Sequence, residues 1–306
     1  MVNFIMIAVC IIAGMVFKAT KTIHPDAHKG INTWILYIAL PAVSLKYIPQ
    51  IQWSEQMLFP VLGPVIVYIG SAVFMQLYYK AKHYSKHSHS SLILASAFSN
   101  TSFIGFPLIM AFFNESLLKI AIICDQTMFI LLSTVGIIEA VKGAPGKGAK
   151  IDVKYILKRL FTFPPFIGCI SALILSKLFN IGEGTLAYEL FDKLAATVGP
   201  LALFSVGLQL KFNGWRKEIS QISMTQLYKL LIAPLLVAVV ALILGLKGDV
   251  AKITIFEAAM PTLITSSIIS EQFRLNTRLI NLIIGISIII GFFAAFVWFE
   301  IVQYFF

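Results

Sequence analysis

Charge is what this 306-residue chain has least of: Asp, Glu, Lys and Arg together make up only 12% of it. A soluble domain carries roughly 25%, so a water-facing globule is excluded. Hydrophobic residues reach 58%, and no polar stretch is long enough to form a separate soluble domain. Cysteine is scarce as well. Cys10, Cys124 and Cys169 lie far apart inside apolar runs, which rules out a zinc or redox spacing and leaves the role of small packing residues. Catalysis at membrane depth would need a nucleophile–base pair, an acidic metal motif or a histidine cluster. All five histidines fall in connections between apolar runs, so an enzyme is not expected. The first run also lacks the basic start and small-residue cleavage site of a signal peptide, and is expected to be a retained span.

What the chain does contain is apolar sequence in lengths of about 20 residues, enough for an α-helix to cross a bilayer. Ten spans are expected, over Asn3–Phe17, Ile31–Ile48, Met57–Tyr79, Ser91–Phe113, Leu117–Val141, Tyr155–Phe179, Leu186–Leu210, Met224–Leu246, Ala251–Phe273 and Leu279–Phe305. The net charge of +10 comes from basic residues in the connections. No aromatic-and-basic groove accompanies it, so nucleic acid is not an expected partner. The odd-numbered loops hold most of the lysines and arginines, among them Lys18, Lys21, Lys80, Lys86, Lys142, Lys147, Lys150, Lys211, Arg216, Arg274 and Arg278. The other side has only Lys46, Lys119, Lys177, Lys247 and Lys252. The positive-inside rule places the odd loops in the cytoplasm and both termini on the non-cytoplasmic side. A plasma membrane, or bacterial inner membrane, is the expected location.

Two spans are broken by their own composition. Ser99-Asn100-Thr101-Ser102-Phe103-Ile104-Gly105-Phe106-Pro107 interrupts the fourth, and Ala259-Met260-Pro261-Thr262-Leu263-Ile264-Thr265-Ser266-Ser267 interrupts the ninth. Non-helical backbone at bilayer depth is tolerated only where protein buries it or where it lines a cavity, and paired interruptions of this kind mark transporter binding sites. Leu40-Pro41 in span two and Gly199-Pro200 in span seven form a second matched pair. The expected fold is therefore an all-α polytopic membrane protein whose ten transmembrane helices form two inverted five-helix repeats, 1–141 and 155–306. A basic cytoplasmic linker, 142–154, joins them.

The chemistry at the breaks suits an anion. Pro107 and Pro261 fit the first position of a new helix, where a missing N–H costs nothing. The free N–H groups and positive dipole ends of such helices favour a carboxylate. Asn100 can donate its amide N–H to that group or cap the break. Thr101, Ser102, Thr262, Thr265 and Ser266 offer hydroxyls, although Ser and Thr in membrane helices often bond only a preceding carbonyl or a neighbour. No fixed positive charge is required. Leu40 either lines the cavity or packs in the core.

At these residues the chain resembles the auxin efflux carrier family, which includes bacterial malate-type permeases and plant PIN-type carriers. Asn100-Thr101, Gly105 and Pro107 match its pattern N-T-x-x-x-G-x-P. Met260-Pro261-Thr262 with Glu271 and Phe273 matches its ninth-span segment, and Gly199-Pro200-Leu201-Ala202-Leu203-Phe204-Ser205-Val206-Gly207 its seventh. The resemblance implies a fold like that of bile-acid sodium symporters, with crossed broken helices in spans four and nine of a transport domain that moves against a scaffold. It implies export or exchange of organic anions, and it adds Met260 to the substrate-binding candidates. The brief central linker departs from the plant branch, so auxin is not implied and a bacterial-type carboxylate carrier is the nearer reading.

Ionisable residues inside spans are functional candidates by default. Asp125 in span five is placed to bind a coupling proton or sodium ion, or else to make a structural bond. Glu257 is expected near the outer start of span nine, at a cavity mouth. Asp192 and Lys193 pair with neighbours or snorkel. His83 and His87 have i, i+4 spacing but no carboxylate or cysteine beside them, so a basic turn against anionic lipid headgroups is expected rather than a metal site. The expected function is a secondary transporter moving a small organic anion by alternating access of elevator type. A sodium-coupled symporter of the bile-acid type and an anion channel are the rivals. A channel would want a continuous polar lining, whereas these polar residues cluster at one depth. No cofactor is expected beyond a coupling Na+ or H+. The expected partners are the anion and membrane lipids, with a homodimer left open.

Overall fold

The computed structural model describes residues 2–82, 84–145, 152–179, 182–210 and 215–306. Lys147 and Lys150 of the expected linker, Lys211, and His83 of the histidine pair lie outside the described residues. Among the described residues the regular structure is helical throughout, and the one extended pairing is an isolated antiparallel bridge between Ser99 and Thr262. Apolar runs in lipid leave this outcome, because each backbone N–H and C=O must find its partner within its own segment.

Among the described residues six helices are long and apolar enough to cross a membrane: Ala27–Gln50, Glu55–Lys82, Glu115–Gly143, Leu186–Gln209, Trp215–Ile243 and Thr277–Phe305. A seventh is the bent pair Val153–Phe161 and Pro164–Leu178, which turns by 60°. Pro164 and Pro165 account for the bend, since neither can donate a helical hydrogen bond. Exposed apolar side chains form stripes along these helices. Ile69, Val73 and Leu77 are all exposed at i, i+4, i+8 on one helix, as are Leu231, Leu235 and Val239 on another. Water would penalise such stripes, and lipid does not. The protein is an integral, multi-pass membrane protein.

Contacts divide the chain into two units, each assembled from separated segments. The first comprises Met1–Ser54, Ser102–Gln126 and Lys158–Leu210. Its tightest seam joins helix Val2–Ala19 to helix Val198–Gln209. A Cβ on Gly14 would stand 2.4 Å from the Phe204 carbonyl oxygen, and one on Gly207 would stand 2.3 Å from that of Ile11. Only glycine lets the backbones approach this closely, which is how helices associate where hydrophobic expulsion is unavailable. The unit also buries Lys46, whose ammonium lies 2.5 Å from Asp192 Oδ1, 2.8 Å from the Tyr47 hydroxyl and 3.8 Å from Glu115 Oε1. Asp192 thus pairs with Lys46, and Lys46 belongs to a span rather than to a loop.

The second unit comprises Glu55–Thr101, Thr127–Leu157 and Lys211–Phe306. Its core is polar as well as apolar. Ser71 and Ser96 hydroxyls pair at 2.6 Å, the Tyr228 hydroxyl donates to the Val67 carbonyl at 2.6 Å, and Trp298 Nε1 donates to the Leu230 carbonyl at 2.8 Å. Each of these buried donors meets an acceptor, as burial away from water demands.

Four π-helical turns occur among the described residues: Ile35–Ala39, Thr101–Gly105, Leu132–Gly136 and Tyr228–Ile232. Three of them are followed two residues later by a proline, namely Pro41, Pro107 and Pro234. A proline lacks the N–H for the helical ladder and crowds the carbonyl four residues back, and a widened turn relieves that clash. Two expectations are corrected here. Span two is not interrupted at Leu40-Pro41, because the helix continues through a π turn. Pro107 does not open a new helix either, since helical backbone already begins at Thr101.

Candidate functional site

The two broken stretches meet inside the second unit. Helix Lys86–Ala97 ends at the extended residue Phe98, and helix Asp249–Ala258 ends at Ala259-Met260. Beyond those ends the chains pair in antiparallel fashion. The Asn100 N–H donates to the Pro261 carbonyl at 2.8 Å, and the Leu263 N–H donates to the Phe98 carbonyl at 2.9 Å. This short pairing supplies the backbone partners that neither helix can, so each stretch supports the other in the buried interior. Helix Thr277–Phe305 backs the crossing through Gly291. A Cβ there would stand 2.4 Å from Cγ of Pro261, so a glycine is required for that ring to lie flush on the helix.

The second stretch is satisfied by protein. The Thr262 N–H donates to Ser287 Oγ at 3.0 Å, and its hydroxyl donates to the Ala95 carbonyl at 2.8 Å. The Ser266 hydroxyl donates to the Leu94 carbonyl at 3.0 Å. Both hydroxyls therefore tie down the carbonyl end of helix Lys86–Ala97. Pro261 does not start a helix: the second half of this span begins at Thr265, with helix Thr265–Gln272, and Pro261 belongs to the extended crossing. Met260 is fully buried, and Thr265, the first helical residue, is partly exposed.

Asn100 differs. Its side chain is fully buried, and neither Nδ2 nor Oδ1 has a hydrogen-bond partner among the described residues. An amide left in that state costs about 1–3 kcal/mol. Thr101, also buried, follows as the first residue of a π turn.

A group overlooked in the sequence stands at the same place. Lys229 is fully buried in the π turn Tyr228–Ile232, and its ammonium donates to Ser99 Oγ and, at 3.4 Å, to the Ala258 carbonyl. Glu257 acts on it electrostatically. The sequence reading called for no basic side chain at the breaks, and the structure brings one there. Glu257 is also corrected: it occupies the last turn of helix Asp249–Ala258, 2% exposed, and not a cavity mouth at the outer start of the span. A signal for Lys229 was available, since a lysine within the run Leu227-Tyr228-Lys229-Leu230-Leu231 is an intramembrane charge.

The remaining candidates belong to the first unit. Leu40 and Pro107 are buried there, and Ser102 begins the segment Ser102–Gln126. Asp125, 9% exposed, accepts a 3.3 Å hydrogen bond from Gln126 Nε2 and acts electrostatically on the Cys169 thiol. Among the described residues no group of three or more His, Cys, Asp or Glu side chains could hold a metal ion.

Crossed, interrupted helices with a buried amide and a buried lysine form the kind of site that carriers build at mid-membrane. A family model described as "Membrane transport protein" matches residues 1–299. The chain belongs to this family. Similar proteins agree with membership. An "Uncharacterized transporter" of Methanothermobacter thermautotrophicus is 24% identical over 298 residues, covering 95% of each chain. A "Putative malonate transporter" of Rhizobium meliloti is 23% identical over 290 residues, covering 88% of this chain and 87% of its own. A "Probable auxin efflux carrier component 9" of Oryza sativa is 29% identical over 142 residues, covering 44% of this chain and 33% of its own. The family's link to auxin efflux carriers, expected from Asn100-Thr101, Gly105, Pro107 and Met260-Pro261-Thr262, therefore holds.

Proposed function

We propose that the chain is a secondary transporter that carries a small organic anion, a carboxylate, across the membrane by alternating access of elevator type. In this reading the two broken segments are spans four and nine of ten, arranged as two inverted five-helix repeats. Both termini are on the non-cytoplasmic side of a plasma or bacterial inner membrane. The observation that carries the reading is Asn100, whose buried amide has no protein partner among the described residues while every backbone atom named at the crossing has one. A carboxylate oxygen is the acceptor that Nδ2 lacks, and the Lys229 side chain, on the neighbouring Ser99 hydroxyl, supplies compensating charge when an anion favours its protonated form. Such charge-assisted contacts are stronger than neutral ones. The relative named as a malonate transporter supports a short dicarboxylate as the first acid to try.

The test is charge movement in proteoliposomes challenged with a panel of mono- and dicarboxylates, malonate included. A saturable current with some acid, lost in Asn100→Ala, is the expected result. The reading falls if no acid produces either a saturable current or counterflow of labelled acid in a well-folded preparation.

A further inference from the structure

Within the second unit, a cavity of about 550 Å³ lies where helix Phe59–Lys82 meets helix Lys86–Ala97 and the end of helix Ile137–Gly143. Its polar wall is made by Gln76, Tyr79, Lys86, His89, Glu139 and Lys142. The imidazole is fixed in that wall. His89 Nε2 donates to Gln76 Oε1 at 3.0 Å, and the ring stacks on Tyr79 with centroids 4.5 Å apart. The Glu139 carboxylate is already engaged, accepting from Lys142 at 2.6 Å and from the Tyr68 hydroxyl at 3.4 Å. Lys86 has no ion pair among the described residues. With histidine neutral, two lysines against one glutamate leave the lining with one positive charge.

The remaining wall is apolar. Val73 lines the cavity and is also 57% exposed, within the lipid-facing stripe that it forms with Ile69 and Leu77. The cavity is therefore continuous with the surface that acyl chains cover. Tyr84 packs against Tyr78 at 5.2 Å and against Tyr79 at 5.4 Å between ring centroids, and tyrosines gather at the headgroup level of a membrane. A free anion has no use for a lipid-facing apolar wall, and a lipid without net charge has none for an unpaired lysine. We infer that this cavity is a site for one anionic phospholipid, with its phosphate beside Lys86 and Lys142 and an acyl chain along Val73. It is a formed site, distinct from the general attraction of a basic turn to a bilayer. In the proposed orientation it faces the cytoplasmic leaflet, whose anionic lipids attract basic side chains. The lipid site does not depend on which anion the protein carries.

The test is a melt of the full chain in neutral detergent, titrated with dioctanoyl phosphatidylglycerol, dioctanoyl phosphatidylcholine or inorganic phosphate. Phosphatidylglycerol is expected to raise Tm saturably, and the other two are not. Lys86→Gln should weaken that response about five-fold, the contribution of one lysine near a membrane surface, and Lys86→Arg should restore it. Val73→Trp, at an exposed position, should narrow the mouth and remove the response while the lipid-free Tm stays in place. Lys80→Gln is the control: Lys80 is exposed on the same helix as Val73 but outside the lining, so its response should match the native chain. The inference is overturned if phosphatidylcholine gives the same rise, if no lipid gives one, or if Lys80→Gln weakens the response as much as Lys86→Gln. It is also overturned if phosphate alone saturates the site, which would make it a site for a free anion. Failure of the transporter reading would appear instead as absence of current with every acid, a result independent of these melts.

Discussion

The two interruptions that cross in the second unit are finished in opposite ways. Around Met260-Pro261-Thr262 the polar atoms are used internally: Thr262 donates through both its N–H and its hydroxyl, and Ser266 holds a further carbonyl. Around Ser99-Asn100-Thr101 the backbone is paired, but the Asn100 amide is buried without a partner among the described residues. One stretch is a frame, and in the proposed reading the other is the receptor. The difference teaches that hydroxyl-rich composition at a helix break is no guide to ligand contact, because a freed carbonyl nearby is an equally good use for a hydroxyl.

The sharpest way to break this comparison is Asn100→Ala. We expect the transport current to fall by more than ~10-fold, since a hydrogen bond to a charged group is worth about 1.5–3 kcal/mol. The Tm should be unchanged or raised, because the amide has no partner to lose. A Tm drop with intact transport would place Asn100 in the frame instead. Gly291→Ala should come next, since the added Cβ meets the Pro261 ring at 2.4 Å. Overpacking of this kind costs about 1–3 kcal/mol, and a displaced crossing should lower transport more than it lowers Tm. Proteoliposome flux and melting measured on the same preparation decide the point.

Thr262→Val is the reciprocal test. It keeps the shape, removes the hydroxyl and leaves the Ala95 carbonyl short of a donor, so stability should fall by about 1 kcal/mol while acid affinity is retained. Equal losses at Asn100 and Thr262 in flux would erase the distinction between the two stretches. The smallest effect is expected at Asp192→Asn in the first unit. Asp192 is half exposed, so losing its pairing with Lys46 should cost under about 1 kcal/mol and leave transport unaltered.

The two buried lysines extend the contrast. Lys46 is paired directly with Asp192, with the Tyr47 hydroxyl and Glu115 around it, and its role is complete within its unit. Lys229 rests on a hydroxyl and a helix-end carbonyl, a placement that serves the crossing rather than a surface ion pair.

Much of the architecture was legible in residue order. Low charge and repeated apolar runs identify a polytopic membrane protein, and helix breakers at Asn100 and Pro261 locate the two interruptions. Helix ends were less legible. Pro41 and Pro107 read as breaks, yet the chain absorbs both with π turns, a compromise that no local pattern announces. Glu257 read as an outer residue because it was counted from the start of its span at Ala251, although it stands two residues before the break at Ala259. Lys229 was passed over although it lies five residues inside the expected span Met224–Leu246.

By itself the sequence determined what depends on neighbours in the chain: membrane class, apolar runs, the site of each helix interruption and the family pattern around it. Tertiary structure alone decided which polar groups at those interruptions have protein partners. The Lys229 ammonium meets Ser99 across 130 residues, and the Thr262 hydroxyl meets Ala95 across 167. Hydrogen bonds act only within about 3 Å, so whether a buried group is spent or available depends on where distant segments are brought, and that is settled by packing.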